Sequence, residues 1–138
     1  MSIDALFQPI TIGTLELPNR IIMAPLTRAR ATVGHVPTAL QGEFSAPRAD
    51  PGLIVSEATA VHPQGMGWYR APGIWSDEMV KGWKGVTDAV HAAGGRIYAQ
   101  LWHMGRLVLP DYLGGEPPIG PTPVAGGGET FTPSPAGH

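Results

Sequence analysis

Arg96-Ile97-Tyr98-Ala99-Gln100-Leu101-Trp102-His103-Met104-Gly105-Arg106 is the stretch that decides how this chain is read. It is an apolar strand pattern with a glutamine where a purely structural strand would carry another aliphatic. Side chains alternate along a strand, so Tyr98, Gln100 and Trp102 share one face while Ala99 and Leu101 take the other. A primary amide beside an indole, near the end of a buried strand, is costly unless something bonds it. By itself such a glutamine is more often bonded to neighbouring backbone. The sharper reading uses its acceptor oxygen and donor NH2 together, a pair that matches the mixed edge of a uracil-like ring such as the pyrimidine end of a flavin.

Working outward, Gly94-Gly95 ends a helix in which Val80, Trp83, Val86, Val90 and Ala93 form the expected buried stripe. Ser76 or Asp77 caps that helix, and Asp77-Glu78 suit its positive end. Upstream, Leu53-Ile54-Val55-Ser56 is a second buried strand leading into Glu57-Ala58-Thr59-Ala60. The long loop from Val61 to Trp75, with Trp68 and Tyr69, has the composition of a functional loop. Thr38 with Gln41 three residues on is a capping-box pattern for a helix running to about Arg48, before Pro51-Gly52 breaks it. Ile21-Ile22-Met23-Ala24 is an apolar run suited to a parallel strand buried on both faces, stopped by Pro25. At the start, Ile10-Thr11-Ile12 and Leu15-Glu16-Leu17 flank a turn at Gly13-Thr14 and read as a hairpin. The order is hairpin, then βαβαβ, an α/β fold with right-handed crossovers.

Downstream of Arg106 the regularity ends. Pro110 to His138 holds seven prolines and seven glycines, with a possible short ladder at Glu129-Thr130-Phe131-Thr132. The expected division is residues 1–19 as the hairpin, 20–106 as three strands and two helices, and 107–138 as a Gly/Pro-rich loop. Gly126-Gly127-Gly128 lacks the strand-to-helix context of a phosphate loop.

The chain has 138 residues, 43% of them hydrophobic, so it can bury a core. A net charge of −2 with scattered basic residues carries no nucleic-acid footprint. The absence of cysteine excludes disulfides and thiolate metal sites. The five histidines show no metal-ligand spacing, so no metal site is expected; His91 reads as an exposed helix residue and His103 as packing or as a support behind the residues that touch a ligand. No apolar run approaches the roughly 18 residues of a membrane span, and the N-terminus lacks a signal-peptide pattern. A soluble cytoplasmic protein is the expectation.

Five stretches together resemble the Old Yellow Enzyme family of FMN-dependent ene-reductases. They are Leu17-Pro18-Asn19-Arg20-Ile21, Met23-Ala24-Pro25-Leu26-Thr27-Arg28, Gly52-Leu53-Ile54-Val55-Ser56-Glu57-Ala58, Ala71-Pro72-Gly73 and Gln100-Leu101-Trp102-His103-Met104-Gly105-Arg106. The resemblance implies the N-terminal part of a (β/α)8 TIM barrel with a β-hairpin lid, its site at the carboxyl ends of the strands. It implies that Pro25, Leu26 and Thr27 line FMN, the Thr27 hydroxyl reaching the O4 region. Ala58 would approach the ring through its backbone, and Gln100 would pair with the pyrimidine edge. Trp68 and Trp102 would shape the substrate pocket, Trp68 standing where the family often has tyrosine. Arg28 would anchor its loop. NAD(P)H is the implied reductant and a small-molecule activated alkene (an enone, enal, nitroalkene or maleimide) the implied substrate.

Such a barrel takes about 250 residues, and this sequence holds three of its strands. The family's carbonyl-binding pair, proton-donating tyrosine and phosphate-binding arginine are not among them, so no catalytic residue is assigned here. The expectation is a complementary C-terminal chain or segment that completes the barrel along the open edge of the third strand. Two other readings stand beside it: a non-catalytic fragment that folds only with a partner and without flavin, and a module binding aromatic ligands through the Trp68-Tyr69 loop.

Overall fold

The computed structural model describes residues 3–127. Gly13, in the left-handed region at φ 61°, and Thr14 turn the chain between β1 (Ile10–Ile12) and β2 (Leu15–Leu17). These pair antiparallel with Ile12 opposite Leu15, the hairpin expected from the alternating pattern and two-residue turn. The possible ladder at Glu129–Thr132 lies outside the described residues.

A parallel sheet follows, in the order β3 (Ile22–Met23), β4 (Leu53–Ala60), β5 (Ile97–Trp102). Only the central strand is buried on both faces, with seven of its eight residues buried. The edge strands depart from the expectation of double burial: Ile22 is 45% exposed, Tyr98 55% and Leu101 65%. An apolar run reads the same whether or not its neighbour is present, and among the described residues β3 and β5 each have a neighbour on one side only. At the start of the sheet, Asn19 ties the first two strands together. Its Oδ1 accepts from Ile21 N at 3.1 Å and Gly52 N at 2.7 Å, and its Nδ2 donates to the Asp50 carbonyl at 2.8 Å.

Two crossover helices cover one side of the sheet. The first, α1 (Ala39–Ser45), is followed by a 3-10 turn over Ala46–Arg48, where Pro47 sits in the first turn. Gln41 Oε1 accepts from Thr38 N at 2.6 Å, as the capping-box pattern requires, and the Thr38 hydroxyl donates to the Arg30 carbonyl at 2.8 Å. The second, α2 (Asp77–Ala92), is capped by Ser76, whose side chain accepts from Met79 N at 3.3 Å. Its buried residues are Met79, Trp83, Val86 and Val90. Val80 and Ala93 therefore leave the expected stripe: Val80 is 52% exposed and Ala93 is exposed, while Met79 lies one turn before Trp83 on the inward face. Trp83 is core, and its indole N–H donates to the Gly73 carbonyl at 3.1 Å. At the end of α2, Gly95 N bonds the Val90 carbonyl and Gly94 takes a positive φ of 81°, a glycine-built helix stop.

Candidate functional site

The carboxyl end of the sheet is organised by an irregularity in β4. Ile54 and Val55 face Ile97 and Tyr98, but Ala58 faces Gln100, so β4 spends one residue more than β5 at Ser56–Glu57. A bulge of this kind withholds some backbone groups from the ladder, and buried ones need other partners. Here hydroxyls supply them. Gln100 N donates to Ser56 Oγ at 3.1 Å; Ser56 Oγ and Thr59 Oγ1 donate to the Glu57 carbonyl at 2.8 and 2.9 Å. Sequence periodicity shows no trace of this, because Leu53–Ala60 reads as one unbroken buried strand.

Glu57 is 7% exposed, and its carboxylate turns to the loop after β3. One oxygen, Oε2, accepts from both Arg28 N at 2.9 Å and Ala29 N at 3.2 Å. Two adjacent amides converge on one acceptor, and directly after them the backbone enters the left-handed region, Ala29 adopting a positive φ of 54°. Burial pushes the Glu57 pKa above its ordinary 4.5; the two amide hydrogen bonds, the Gln41 amide and the Arg28 charge oppose that rise without cancelling it. Gln41 is itself buried with its oxygen held by Thr38, which leaves Nε2 as the end that favours a charged Glu57 while closing no hydrogen bond of sound geometry. A small cavity of about 20 Å³ lies here, lined in part by Met23, Leu26, Gln41, Ser56 and Glu57. The Arg28 side chain stacks over Phe44, 5.0 Å from its centroid, in keeping with an anchoring role.

The loops after β3 and β4 are stitched to each other. Ala31 N donates to the Arg70 carbonyl at 3.1 Å and Arg70 Nε to the Ala31 carbonyl at 3.0 Å. His35 Nδ1 lies 2.8 Å from the Ala71 carbonyl oxygen, and Gly73 N donates to the His35 carbonyl at 2.9 Å. His103 is exposed, with its Nδ1 accepting from Gly105 N at 2.9 Å and its ring lying against Gly65, where a Cβ would stand 2.6 Å from it. Tyr112 reaches the backbone of Tyr69, and burial raises its phenol pKa.

The structure groups the sequence-predicted residues in two sets. Ala58, buried, and Gln100, half-buried, are register partners on neighbouring strands. One step further, Ala60 pairs with Trp102, and Trp102 and Trp68 pack with Trp75 on the cluster of Ala60, Met66 and Ala71. Thr27 is half-buried directly before the amides held by Glu57, while Pro25 and Leu26 are exposed. Neither the Gln100 side-chain amide nor the Thr27 hydroxyl has a hydrogen-bond partner among the described residues. The sequence pattern does not single out Ser56 or Glu57, although an acid inside an apolar strand is itself a signal.

Parallel strands joined by helical crossovers, with polar and aromatic groups gathered at their carboxyl ends, are the arrangement of a segment of an α/β barrel. A model of the NADH:flavin oxidoreductase / NADH oxidase family matches residues 5–132. Chanoclavine-I aldehyde reductase of Penicillium roqueforti is 48% identical over 113 residues, 80% of this chain and 31% of its own. 12-Oxophytodienoate reductase 1 of Oryza sativa subsp. japonica is 35% identical over 133 residues, 96% of this chain and 34% of its own. Among solved structures, the old yellow enzyme homologue of Zymomonas mobilis superposes with a TM-score of 0.88 at 52% identity, covering 93% of this chain and 36% of its own. Morphinone reductase in complex with tetrahydroNAD gives 0.90 at 47%, covering 97% and 37%.

The chain belongs to this family, the Old Yellow Enzyme family, and its fold is the N-terminal part of the family's TIM barrel. The cofactor that goes with this membership is FMN, with NAD(P)H as reductant. The chain spans about a third of the length of the curated relatives it matches.

Proposed function

We propose that this chain supplies one side of the flavin cradle and one wall of the substrate pocket of an NAD(P)H-dependent ene-reductase acting on activated C=C bonds: enones, enals, nitroalkenes and maleimides. The observation that carries this reading is the pairing of Ala58 with Gln100 at the carboxyl end of the sheet, with Gln100's side-chain amide unengaged among the described residues. A flavin ring fits that arrangement. The alanine permits close approach of backbone to ring, and the amide supplies one donor and one acceptor to the pyrimidine edge. Bound FMN supplies hydride transfer from NAD(P)H to the alkene; the protein supplies placement and electrostatics. In this assignment Thr27 donates its hydroxyl proton toward the O4 region, with Pro25 and Leu26 beside it, and Trp102 with Trp68 excludes water from the alkene side. Trp68 has no phenolic hydroxyl, so it shapes the pocket without donating a proton there. No residue of this chain is assigned proton donation or carbonyl binding.

The exposed apolar surface of the edge strands, Ile22, Tyr98 and Leu101, fits burial by further barrel strands, whether on the same polypeptide or on a second, complementary chain. Native mass spectrometry combined with anaerobic NAD(P)H oxidation tests the proposal. A species containing this chain, the remaining strands and one FMN, which oxidises NAD(P)H on addition of a cyclic enone or maleimide, is the expected result. A well-folded chain that takes up no flavin in the presence of those strands refutes the ene-reductase reading. A flavin-loaded monomer of this chain alone refutes the need for completion.

A further inference from the structure

We propose that the β4 bulge at Ser56–Glu57 is the positioning element of the flavin cradle, setting Gln100 through Ser56 Oγ and Thr27 through the Glu57 carboxylate while carrying Ala58 as its next residue. The inference rests on the flavin reading above and extends it to two residues that touch no ligand themselves.

The geometry is specific. In an unbroken parallel ladder Gln100 N would donate to a main-chain carbonyl of β4. With the extra residue it donates to Ser56 Oγ at 3.1 Å, so a buried side chain that is 5% exposed sets the height of Gln100 on its strand. The same hydroxyl spends its proton on the Glu57 carbonyl at 2.8 Å, which fixes its rotamer and leaves a lone pair aimed at Gln100. Glu57, one residue on, holds Arg28 N and Ala29 N on one oxygen, and so fixes the backbone directly after Thr27. The positive φ of 54° at Ala29 marks a conformation the loop would not keep unaided. Three elements that would otherwise be placed independently are therefore tied to two consecutive residues. Loosening either tie leaves the site fully formed for only a fraction of the time, and apparent affinity falls by that fraction.

The test compares wild type with Ser56→Ala, Ser56→Thr and Glu57→Gln in the complete FMN-binding barrel. The readouts are the FMN dissociation constant from flavin fluorescence quenching, the position of the bound flavin's visible band, and amide hydrogen exchange at Gln100, Arg28 and Ala29. Expected are about tenfold weaker FMN binding in Ser56→Ala with faster exchange at Gln100, and recovery of both in Ser56→Thr. Glu57→Gln keeps an acceptor for Arg28 N and Ala29 N but loses its charge, so it weakens binding less than Ser56→Ala does. It also speeds exchange at Arg28 and Ala29 and shifts the visible band. Folded variants that bind FMN as wild type does, with an unmoved band, overturn the positioning role and leave the flavin reading standing. A wild-type barrel that takes up no FMN overturns both.

Discussion

Replacing Glu57 by glutamine tests the electrostatics of the buried carboxylate in a way its hydrogen bonds alone would not suggest. Burial raises its pKa above 4.5 in the folded state, despite two amide donors, the Gln41 amide and the Arg28 charge. Between the unfolded and folded values the native state therefore binds more protons than the unfolded chain, and stability falls as pH rises through that window. The penalty is complete above the folded pKa and absent below the unfolded one. One proton is involved, so the slope cannot exceed about 1.4 kcal/mol per pH unit. Glutamine has nearly the same shape, keeps an acceptor for Arg28 N and Ala29 N, and carries no charge to desolvate, but it sets an NH2 against Gln41 Nε2. Those effects oppose each other, so the net change at pH 7 stays within about 2 kcal/mol. Urea unfolding of wild type and Glu57→Gln in half-unit steps from pH 4.5 to 8, followed by tryptophan fluorescence, reads the difference. Wild type should lose stability relative to the variant as pH rises. Parallel profiles refute the argument, and a wild type that gains on the variant shows that the hydrogen bonds outweigh burial.

Three further outcomes follow from the packing. Ser76→Ala removes the acceptor for Met79 N and should destabilise by about 1 kcal/mol, measured as a lower urea midpoint at unchanged m-value. Trp83→Phe keeps a buried ring but strands the Gly73 carbonyl, at a cost of about 1–3 kcal/mol in the same assay. Leu101→Ser should cost about 1.5–3 kcal/mol in the complete barrel, where a neighbouring strand covers a side chain 65% exposed here; no change there refutes that coverage.

What sequence by itself determined is what local physics determines. The Gly13-Thr14 turn, the Ser76 cap, the Gln41 side of the capping box and the glycine stop after α2 each depend on residues a few positions apart. They were legible for that reason. The five motifs settled the family, since their order and spacing survive without any coordinates. Gln100 stood out because a primary amide conflicts with its apolar surroundings, and the structure sets it opposite Ala58.

Contacts between distant segments were decided by tertiary structure. Met79 rather than Val80 faces inward, because the phase of a helical stripe is set by the sheet it lands on. Among the described residues, burial on both faces belongs to β4 alone, because it depends on neighbours that apolar runs do not specify. The bulge at Ser56–Glu57 is the clearest case. It is a difference in residue count between two strands more than 30 positions apart, and neither strand records it alone. The glutamate that holds the loop after β3 is visible in sequence only as an acid in an apolar run; its partners, 28 and 29 residues away, are brought to it by the fold.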